Sequence, residues 1–322
     1  MVHQFQTRHP EFAGFSEYYA ERIRPELIAR DGARRAAVKR AMRTALASSG
    51  ALVAAGGYLS YSTGAPNWAI WSVMGAVALG GGVWRYFTKS IRAETKSRLV
   101  EAVLGHVGWR FDAFVGSFDT QPFESLFLLP GKFNRARFED AITGEAHGAA
   151  FRSTEAHLER ETRDSKGNKH YKTVFRGQLM TLDFPTRVFG RTVVLRDKGM
   201  FNRKARGDMK RVGLVDPTFE KLFEAYSTDQ VEGRVILDPV FMQAMLDLEA
   251  SVSGRNIRFG FDDDTLFIAV ETPNQFEAGP MTRSLDDPAP TQKIIDEVGL
   301  LFDIADKLQL RKQAGFGRRK RA

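Results

Sequence analysis

The longest feature in the hydrophobic pattern is a stretch without charge. No Asp, Glu, Lys or Arg occurs from Thr44 to Trp84. A helix needs about 20 residues to cross the hydrocarbon core, and this stretch is roughly twice that length. Pro66 interrupts it near the middle, because proline lacks a backbone donor and disfavours helical geometry in the residue before it. The pattern predicts two antiparallel membrane spans joined by a tight turn, a transmembrane helical hairpin over residues 44–87.

Basic residues flank this stretch on both sides. The residues that precede it are Arg34, Arg35, Lys39, Arg40 and Arg43, and those that follow it are Arg85, Lys89 and Arg92. The turn between the two predicted spans carries no charge. Because basic residues favour the cytoplasmic side of a membrane, the flanks predict two spans in the inner (plasma) membrane with both termini in the cytoplasm.

Small residues recur at four-residue spacing in both predicted spans. The two stripes are Ala47, Ala51 and Ala55 in the first span, and Ser72, Ala76 and Gly80 in the second. Such stripes allow helix backbones to approach closely in lipid, and a homo-oligomer through these faces is one expectation. The alternative is that Ala and Gly are simply abundant in such segments.

The pattern outside the hairpin predicts three further regions. Residues 1–43 have apolar positions at helical spacing and form a cytoplasmic amphipathic lead-in. Residues 88–310 form a cytoplasmic domain that opens with a long helix to about residue 115. Residues 311–322 form a basic tail with six Lys or Arg and no acidic residue.

The cytoplasmic domain has the alternation that is typical of strands. Residues 139–162 and 169–184 alternate around a turn signal at 164–168, which predicts a β-hairpin. Further predicted strands cover 188–196 and 231–237, and an acidic turn at 262–264 predicts a second hairpin; predicted helices cover 217–226, 239–248 and 291–310. The expected fold class is therefore α+β: a transmembrane helical hairpin followed by an antiparallel sheet with flanking helices.

The absence of cysteine and the distribution of charge exclude several kinds of functional site. The chain has no cysteine, which excludes disulfides, thiolate zinc sites and a cysteine nucleophile. The net charge is +8, with nine basic against five acidic residues in 1–43 and five against one in 85–100. The excess of basic residues thus lies on both sides of the uncharged stretch and at the C-terminus. The distribution favours a lipid bilayer as partner and argues against nucleic acid.

Three histidines near glutamates, His147, His157 and His170, raise the question of a metal site. If Lys166 and Gly167 are the central turn residues, His157 lies opposite Arg176 and His170 lies opposite Arg163. The two histidines are then about 20 Å apart along the strands, too far to share an ion. No metal site and no cofactor are predicted.

Basic residues near the C-terminal half give a candidate lipid contact. The segment 198–211 and the tail either are solvated or contact anionic lipid headgroups. The candidate contact residues are Lys198, Arg203, Lys204, Arg206, Lys210, Arg211, Arg318, Arg319, Lys320 and Arg321.

The stretch 226–239, YSTDQVEGRVILDP, collects hydroxyls and carboxylates. It raises the hypothesis of a membrane-tethered enzyme with Asp229 and Glu232 near its site at 226–234. No His or Lys lies near in sequence to activate a nucleophile, so the favoured interpretation is a helix exit, an Asx-type turn and a strand. No catalytic residue is assigned.

Several segments resemble a known family. They read FRGQLMTLDFP, GRTVVLRD, LVDPTFEKLFEAYSTDQVEGRVILDPVFM and IRFGFDDDTLFIAVE, with FSEYYAERIRPEL and the paired spans nearer the N-terminus. They resemble bacterial membrane proteins grouped as Domain of Unknown Function 3137. The resemblance implies a two-span bacterial inner-membrane protein with a cytoplasmic domain, and it implies no activity or substrate. The expected function is therefore a membrane-anchored binding or scaffolding module that engages anionic lipid or an unknown protein partner.

Overall fold

The computed structural model describes most of the chain. The residues outside the description are 1, 147, 198–206, 215, 252–255, 273–275, 278 and 310–322, and the side chains of 184–188, 251 and 305–309 are also outside it. The chain forms two compact units. One comprises residues 1–103 with 277–294, and the other comprises 104–276 with 295–322.

The first unit is built on a long helical hairpin. A 3-10 turn (Pro10–Phe12), helix α1 (Phe15–Tyr18) and a π-helical turn (Tyr19–Ile23) lead without a break into α2 (Arg24–Thr63), and α3 (Asn67–His106) returns. Each long helix has 40 residues, which corresponds to a length of about 60 Å. Gly64 ends α2 with φ 65°, a left-handed conformation that glycine adopts without a steric penalty. The chain reverses there and at Pro66, where the sequence predicts the turn.

The prediction of a transmembrane hairpin is wrong. Among the residues that the structure describes, no helix combines enough length with enough hydrophobicity to cross a bilayer. The physical reason is that an uncharged segment need not be strongly apolar. The uncharged part of α2 is rich in Ala, Gly and Ser, and it ends in the sequence SYST. The fold class is corrected to a long helical hairpin followed by an antiparallel sheet.

Apolar residues at helical spacing form the core at the start of the first unit. These residues are Phe12, Phe15, Tyr19, Ile23 and Leu27, all at most 7% exposed. The ring of Phe5 packs edge-on against Phe15 and Tyr19, with centroids 5.3 and 4.8 Å apart. The amphipathic spacing that the sequence shows here therefore marks the buried face correctly.

A buried carboxylate fixes the segment 277–294 to α2. Arg34 Nε and Arg35 Nε donate to the two oxygens of Asp31, each at 2.6 Å. The Leu285 N–H also donates to Asp31, and Arg34 Nη1 donates to the Met281 carbonyl at 2.8 Å. The Arg34 guanidinium beside Asp31 holds the pKa of this carboxyl well below its usual range. The carboxylate is thus charged and fully partnered although it is buried.

The second unit contains a seven-stranded antiparallel sheet. Its strands are β1 (Arg110–Val115), β2 (Arg135–Ala146), β3 (Ala149–Arg163), β4 (Lys169–Arg196), β5 (Lys210–Arg211), β6 (Phe223–Ser227) and β7 (Arg258–Glu271). The order is β1-β2-β3-β4-β6-β5, and β7 pairs with β4. The 28-residue β4 is the centre of the sheet, because it pairs with β3, β6 and β7.

Helices pack against the sheet. The helices of this part are α4 (Gln121–Ser125), α5 (Pro217–Leu222), α6 (Gln230–Ile236), α7 (Pro239–Ser251) and α8 (Ala289–Gln309). On one face, α4 and the residues after it place Phe123, Leu126 and Leu128 in a core with Phe175 and Leu179. Elsewhere in the unit the Trp109 ring stacks on Phe302 of α8, with centroids 4.1 Å apart.

The structure corrects several predicted elements. The segment 231–237 is predicted as a strand but lies almost entirely in α6. The helix predicted over 217–226 ends at Leu222, and the next residues form β6. The long helix after the hairpin ends at His106, and β1 follows it. The acidic residues 262–264 lie within the continuous strand β7, with a positive φ at Asp263, so they do not form a separate hairpin turn.

Candidate functional site

The strongest candidate surface is the uncharged part of the helical hairpin, residues 44–84, here called the distal hairpin. Its large apolar side chains are exposed on both helices. They are Leu46, Leu52, Val53, Tyr58, Leu59, Tyr61, Trp68, Ile70, Trp71, Val73, Met74, Val77 and Leu79, each between 37% and 89% exposed. Large exposed apolar patches on proteins mark sites of protein or membrane interaction.

Small residues form the contact between the two helices of the distal hairpin. Gly56 abuts Ser72 so closely that a Cβ at Gly56 would lie 2.2 Å from the Ser72 Cβ. Ser49 Oγ donates to the Ala76 carbonyl at 2.9 Å, and a Cβ on Gly80 would lie 3.3 Å from Ser49 Oγ. The predicted stripe of Ser72, Ala76 and Gly80 therefore faces α2. The close approach leaves no interior room for large side chains, which accordingly point outward.

The stripe predicted in the first span does not take part in this contact. Ala47, Ala51 and Ala55 are exposed on α2. The expectation that small-residue faces form a homo-oligomer is untested and remains a prediction.

Basic residues surround the base of the distal hairpin. Six of them, here called the basic collar, are exposed: Lys39, Arg40, Arg43, Arg85, Lys89 and Arg92. Among the ion pairs of the described residues, none neutralises a member of the collar. Tyr86 and Phe87 lie at the same level of α3, with their ring centroids 5.3 Å apart. An uncharged surface thus borders directly on uncompensated positive charge and aromatic rings.

The polar stretch after β6 was the candidate for an enzymatic site, and its carboxylates serve the fold. Asp229 caps α6, since its Oδ1 accepts from the N–H groups of Val231 and Glu232 at 2.8 and 3.0 Å. Glu232 accepts from the N–H groups of Phe189 and Gly190 at 2.8 and 2.6 Å. Both carboxylates therefore hold backbone amides of α6 and β4.

The hydroxyls of the same stretch are also engaged. Ser227 Oγ donates to the Asp229 carbonyl at 2.7 Å and lies 2.9 Å from Thr192 Oγ1. Thr228 Oγ1 accepts from the Arg191 N–H at 2.9 Å. The structure brings these hydroxyls and carboxylates close together. Their hydrogen bonds connect β4, β6 and α6, which is a structural role.

The histidines are only partly placed as the sequence predicts. His157 pairs with Arg176 as expected, whereas His170 pairs with Thr162, because a bulge after Leu158 shifts the register by one residue. His147 lies outside the described residues. Over the described part of the chain, no group of three His, Asp or Glu side chains is arranged to hold a metal ion.

Two of the ten candidate lipid-contact residues are described, and both lie in the short strand β5. The Arg211 guanidinium is 3.9 Å from the Glu224 carboxylate, and Lys210 is exposed. The remaining candidates lie outside the described residues, namely Lys198, Arg203, Lys204, Arg206, Arg318, Arg319, Lys320 and Arg321. Their contact with lipid stays a prediction.

The segment from β4 to α8 agrees with the resemblance seen in the sequence. Residues 173–310 match the model of the family "Protein of unknown function (DUF3137)". This DUF3137 segment contains β4 to β7 and α5 to α8. The N-terminal helices and the distal hairpin lie outside the matched residues, so the match supports the resemblance over the second half of the chain alone.

The other comparisons add little. No curated protein matches the chain. Among solved structures, the chain is similar to the crystal structure of the mycobacterial trehalose monomycolate transport factor A, TtfA. That similarity has a TM-score of 0.34 and 11% identity, and it covers 65% of this chain and 96% of that chain.

Proposed function

We propose that the protein is a membrane-associated binding module that contacts a lipid bilayer through its distal hairpin. In this proposal the exposed apolar side chains enter the bilayer interface without crossing the bilayer, and the basic collar meets anionic headgroups. The observation that supports the proposal most is the coincidence of two properties in residues 44–84: large exposed apolar side chains and the absence of charge.

The apolar contact is energetically large. Transferring one large apolar side chain from water to an apolar environment contributes about 1.5–3 kcal/mol. Three of the most exposed residues, Tyr61, Trp71 and Val77, are 89%, 66% and 74% exposed. Tyr and Trp rings favour the interface between lipid and water, where an apolar body and a polar group are both accommodated. A few such side chains are enough for measurable binding.

The basic collar adds an electrostatic contribution. A basic residue close to an anionic membrane surface contributes about 1 kcal/mol. Since anionic lipids are concentrated in the cytoplasmic leaflet, the collar favours the cytoplasmic face of the plasma membrane. The second unit is then the part carried to the membrane, and binding of a protein partner by this unit is part of the proposal.

The alternative of a membrane-tethered enzyme with a site at 226–234 is less favoured. Its two carboxylates accept hydrogen bonds from backbone N–H groups, and its hydroxyls bridge neighbouring elements. To act as a general base or nucleophile, these groups would have to give up hydrogen bonds that connect neighbouring elements.

Vesicle sedimentation tests the proposal. The full chain is expected to sediment with vesicles of phosphatidylcholine and phosphatidylglycerol. Val77→Glu places a charge on the distal hairpin and should weaken binding at least about tenfold, given the cost of burying a charge in lipid. Ile28→Glu is the matched control, because Ile28 is also exposed on the hairpin but lies outside the uncharged part. The proposal is refuted by a wild-type chain that stays in the supernatant, or that instead buries this surface in a dimer.

A further inference from the structure

A cleft in the first unit brings together three arginines that are distant in sequence. Arg22 and Arg30 come from the N-terminal helical segment, and Arg98 comes from α3. The cavity between them has a volume of about 90 Å³. The sequence alone does not reveal this cleft, because the cleft forms only where the helical turns around Arg22 lie against α3.

The positive charge of the cleft is only partly neutralised. Arg30 pairs with Glu26, with Nη2 and Oε1 3.0 Å apart, and with Glu94. Arg22 and Arg98 have no acidic partner among the described residues, and both are exposed at the rim. Three guanidinium groups against the carboxylates of Glu26 and Glu94 leave a charge of about +1, so the cleft favours an anion.

The remaining lining divides into a polar and an apolar part. Thr95 is 5% exposed and lines the cavity from α3. Ile23, Leu27 and Leu99, each at most 7% exposed, form an apolar wall. A cavity needs roughly 10–15 Å³ to hold one water molecule, so the observed volume accommodates the few heavy atoms of an oxyanion.

We propose that this cleft binds the phosphate group of a small phosphomonoester. The guanidinium group is suited to this role because its planar N–H groups match phosphate oxygens and form charge-assisted hydrogen bonds. Arg22 and Arg98 bind the phosphate, Arg30 is held in place by Glu26 and Glu94, and the apolar wall contacts the organic part of the ligand.

A phosphate group is supplied either by a lipid headgroup or by a soluble molecule, and the measurements below distinguish the two sources. The collar residues nearest to the cleft are Lys39, nine residues from Arg30 along α2, and Arg92, six residues from Arg98 along α3. At 1.5 Å per residue these separations are about 14 Å and about 9 Å. If the collar lies at the headgroups, a step that rests on the proposed function, the cleft lies on the side of the collar that faces away from the distal hairpin. Phosphate binding itself does not depend on that step.

Titration calorimetry on the full chain tests the site, with inorganic phosphate and phenyl phosphate as probes. We expect saturable binding of both, with phenyl phosphate the tighter because of the apolar wall. Arg22→Gln and Arg98→Gln should each weaken binding at least about tenfold, the loss of one charge-assisted hydrogen bond. Arg110→Gln is the matched control, an exposed arginine of β1 outside both the collar and the cleft and without an ion pair among the described residues, and it should bind normally. Circular dichroism verifies that each variant is folded.

Three results overturn the proposal. The first is no saturable binding up to about 10 mM probe, a concentration well above a millimolar Kd. The second is an equal loss in Arg110→Gln, which indicates a general charge effect. The third is an Arg98→Gln variant that loses sedimentation with phosphatidic acid vesicles while it still binds inorganic phosphate, which assigns the arginine to a headgroup. Val77→Glu separates the two proposals, because it should lose vesicle binding and keep phosphate binding.

Discussion

The distal hairpin and the sheet of the second unit arrange their side chains in opposite ways. In the core between the sheet and α4, Phe123, Phe175 and Leu179 are at most 1% exposed. In the distal hairpin, Gly56 and Ser72 form the buried contact while Trp71 remains 66% exposed. The second unit therefore buries apolar side chains in its own core. The distal hairpin instead leaves large apolar side chains exposed. This difference is the basis of the proposal that the distal hairpin contacts a lipid bilayer.

The largest expected effect lies in the core of the sheet. Phe175→Ala should reduce the free energy of unfolding by about 3–5 kcal/mol, because it removes a buried ring and leaves a cavity. Phe114→Ala is the matched control, since Phe114 in β1 is 87% exposed, and it should change stability by less than about 0.5 kcal/mol. Urea unfolding measures both. Similar losses in the two variants would contradict the placement of the core.

Asp31→Asn should produce the next largest loss. It leaves the buried Arg34 without its carboxylate, and breaking a buried ion pair costs roughly 3–5 kcal/mol. The pKa of Asp31 is lowered by Arg34, so its stabilising contribution is present above the ordinary aspartate pKa of about 4 and is lost as the pH falls below it. The difference between wild type and variant should accordingly shrink below about pH 4. A difference that grows on acidification would refute the ion pair.

A pair of glycines tests the small-residue contact within the distal hairpin. Gly56→Ala should destabilise by about 1–3 kcal/mol, because its Cβ would overlap Ser72. Gly57→Ala has no atom within 4 Å of its Cβ and should stabilise the helix by up to about 1 kcal/mol. Thermal unfolding followed by circular dichroism compares them. Equal signs for the two substitutions would show that α2 does not contact α3 at Gly56.

The smallest expected effect concerns the cap of α6. Asp229→Ala should cost about 1 kcal/mol of unfolding free energy, while Asp229→Asn should retain most of the stability, because asparagine also caps helices. Denaturant midpoints for the two variants are the measurement. If both variants keep full stability, Asp229 has no structural role, and the enzymatic interpretation of 226–234 regains support.

Local signals in the sequence predicted much of the fold. Pro66 marked the turn of the helical hairpin, and a helix was predicted to begin at residue 217, where the structure shows Asp216 capping α5 by accepting from the Thr218 and Phe219 N–H groups. The β-hairpin turn at 164–168 is held by Asp164, whose Oδ1 accepts from the Lys166 N–H at 2.9 Å. These features depend on residues close in sequence, so a single sequence suffices to find them.

The errors arose where distant residues decide the structure. Arg234 to Leu237 has the β-branched residues of a strand, but the Asp229 cap and contact with the sheet make the segment helical. Gly233 lies at the contact between α6 and the sheet, since a Cβ there would lie 2.9 Å from the Ser227 Cβ of β6. The arginine cleft requires two remote helical segments to meet. The hydropathy of the distal hairpin was overestimated because the absence of charge was taken as apolarity.

Fluorescence quenching by brominated lipid tests the central claim most directly, because three of the four tryptophans, Trp68, Trp71 and Trp84, lie in the distal hairpin and Trp109 lies in the second unit. The full chain is mixed with vesicles of brominated phosphatidylcholine and phosphatidylglycerol. The account predicts strong quenching that is largely lost in the triple variant Trp68→Phe, Trp71→Phe, Trp84→Phe, in which Trp109 is the remaining tryptophan. Unquenched emission of the wild type, or equal quenching in the triple variant, would contradict lipid contact through the distal hairpin.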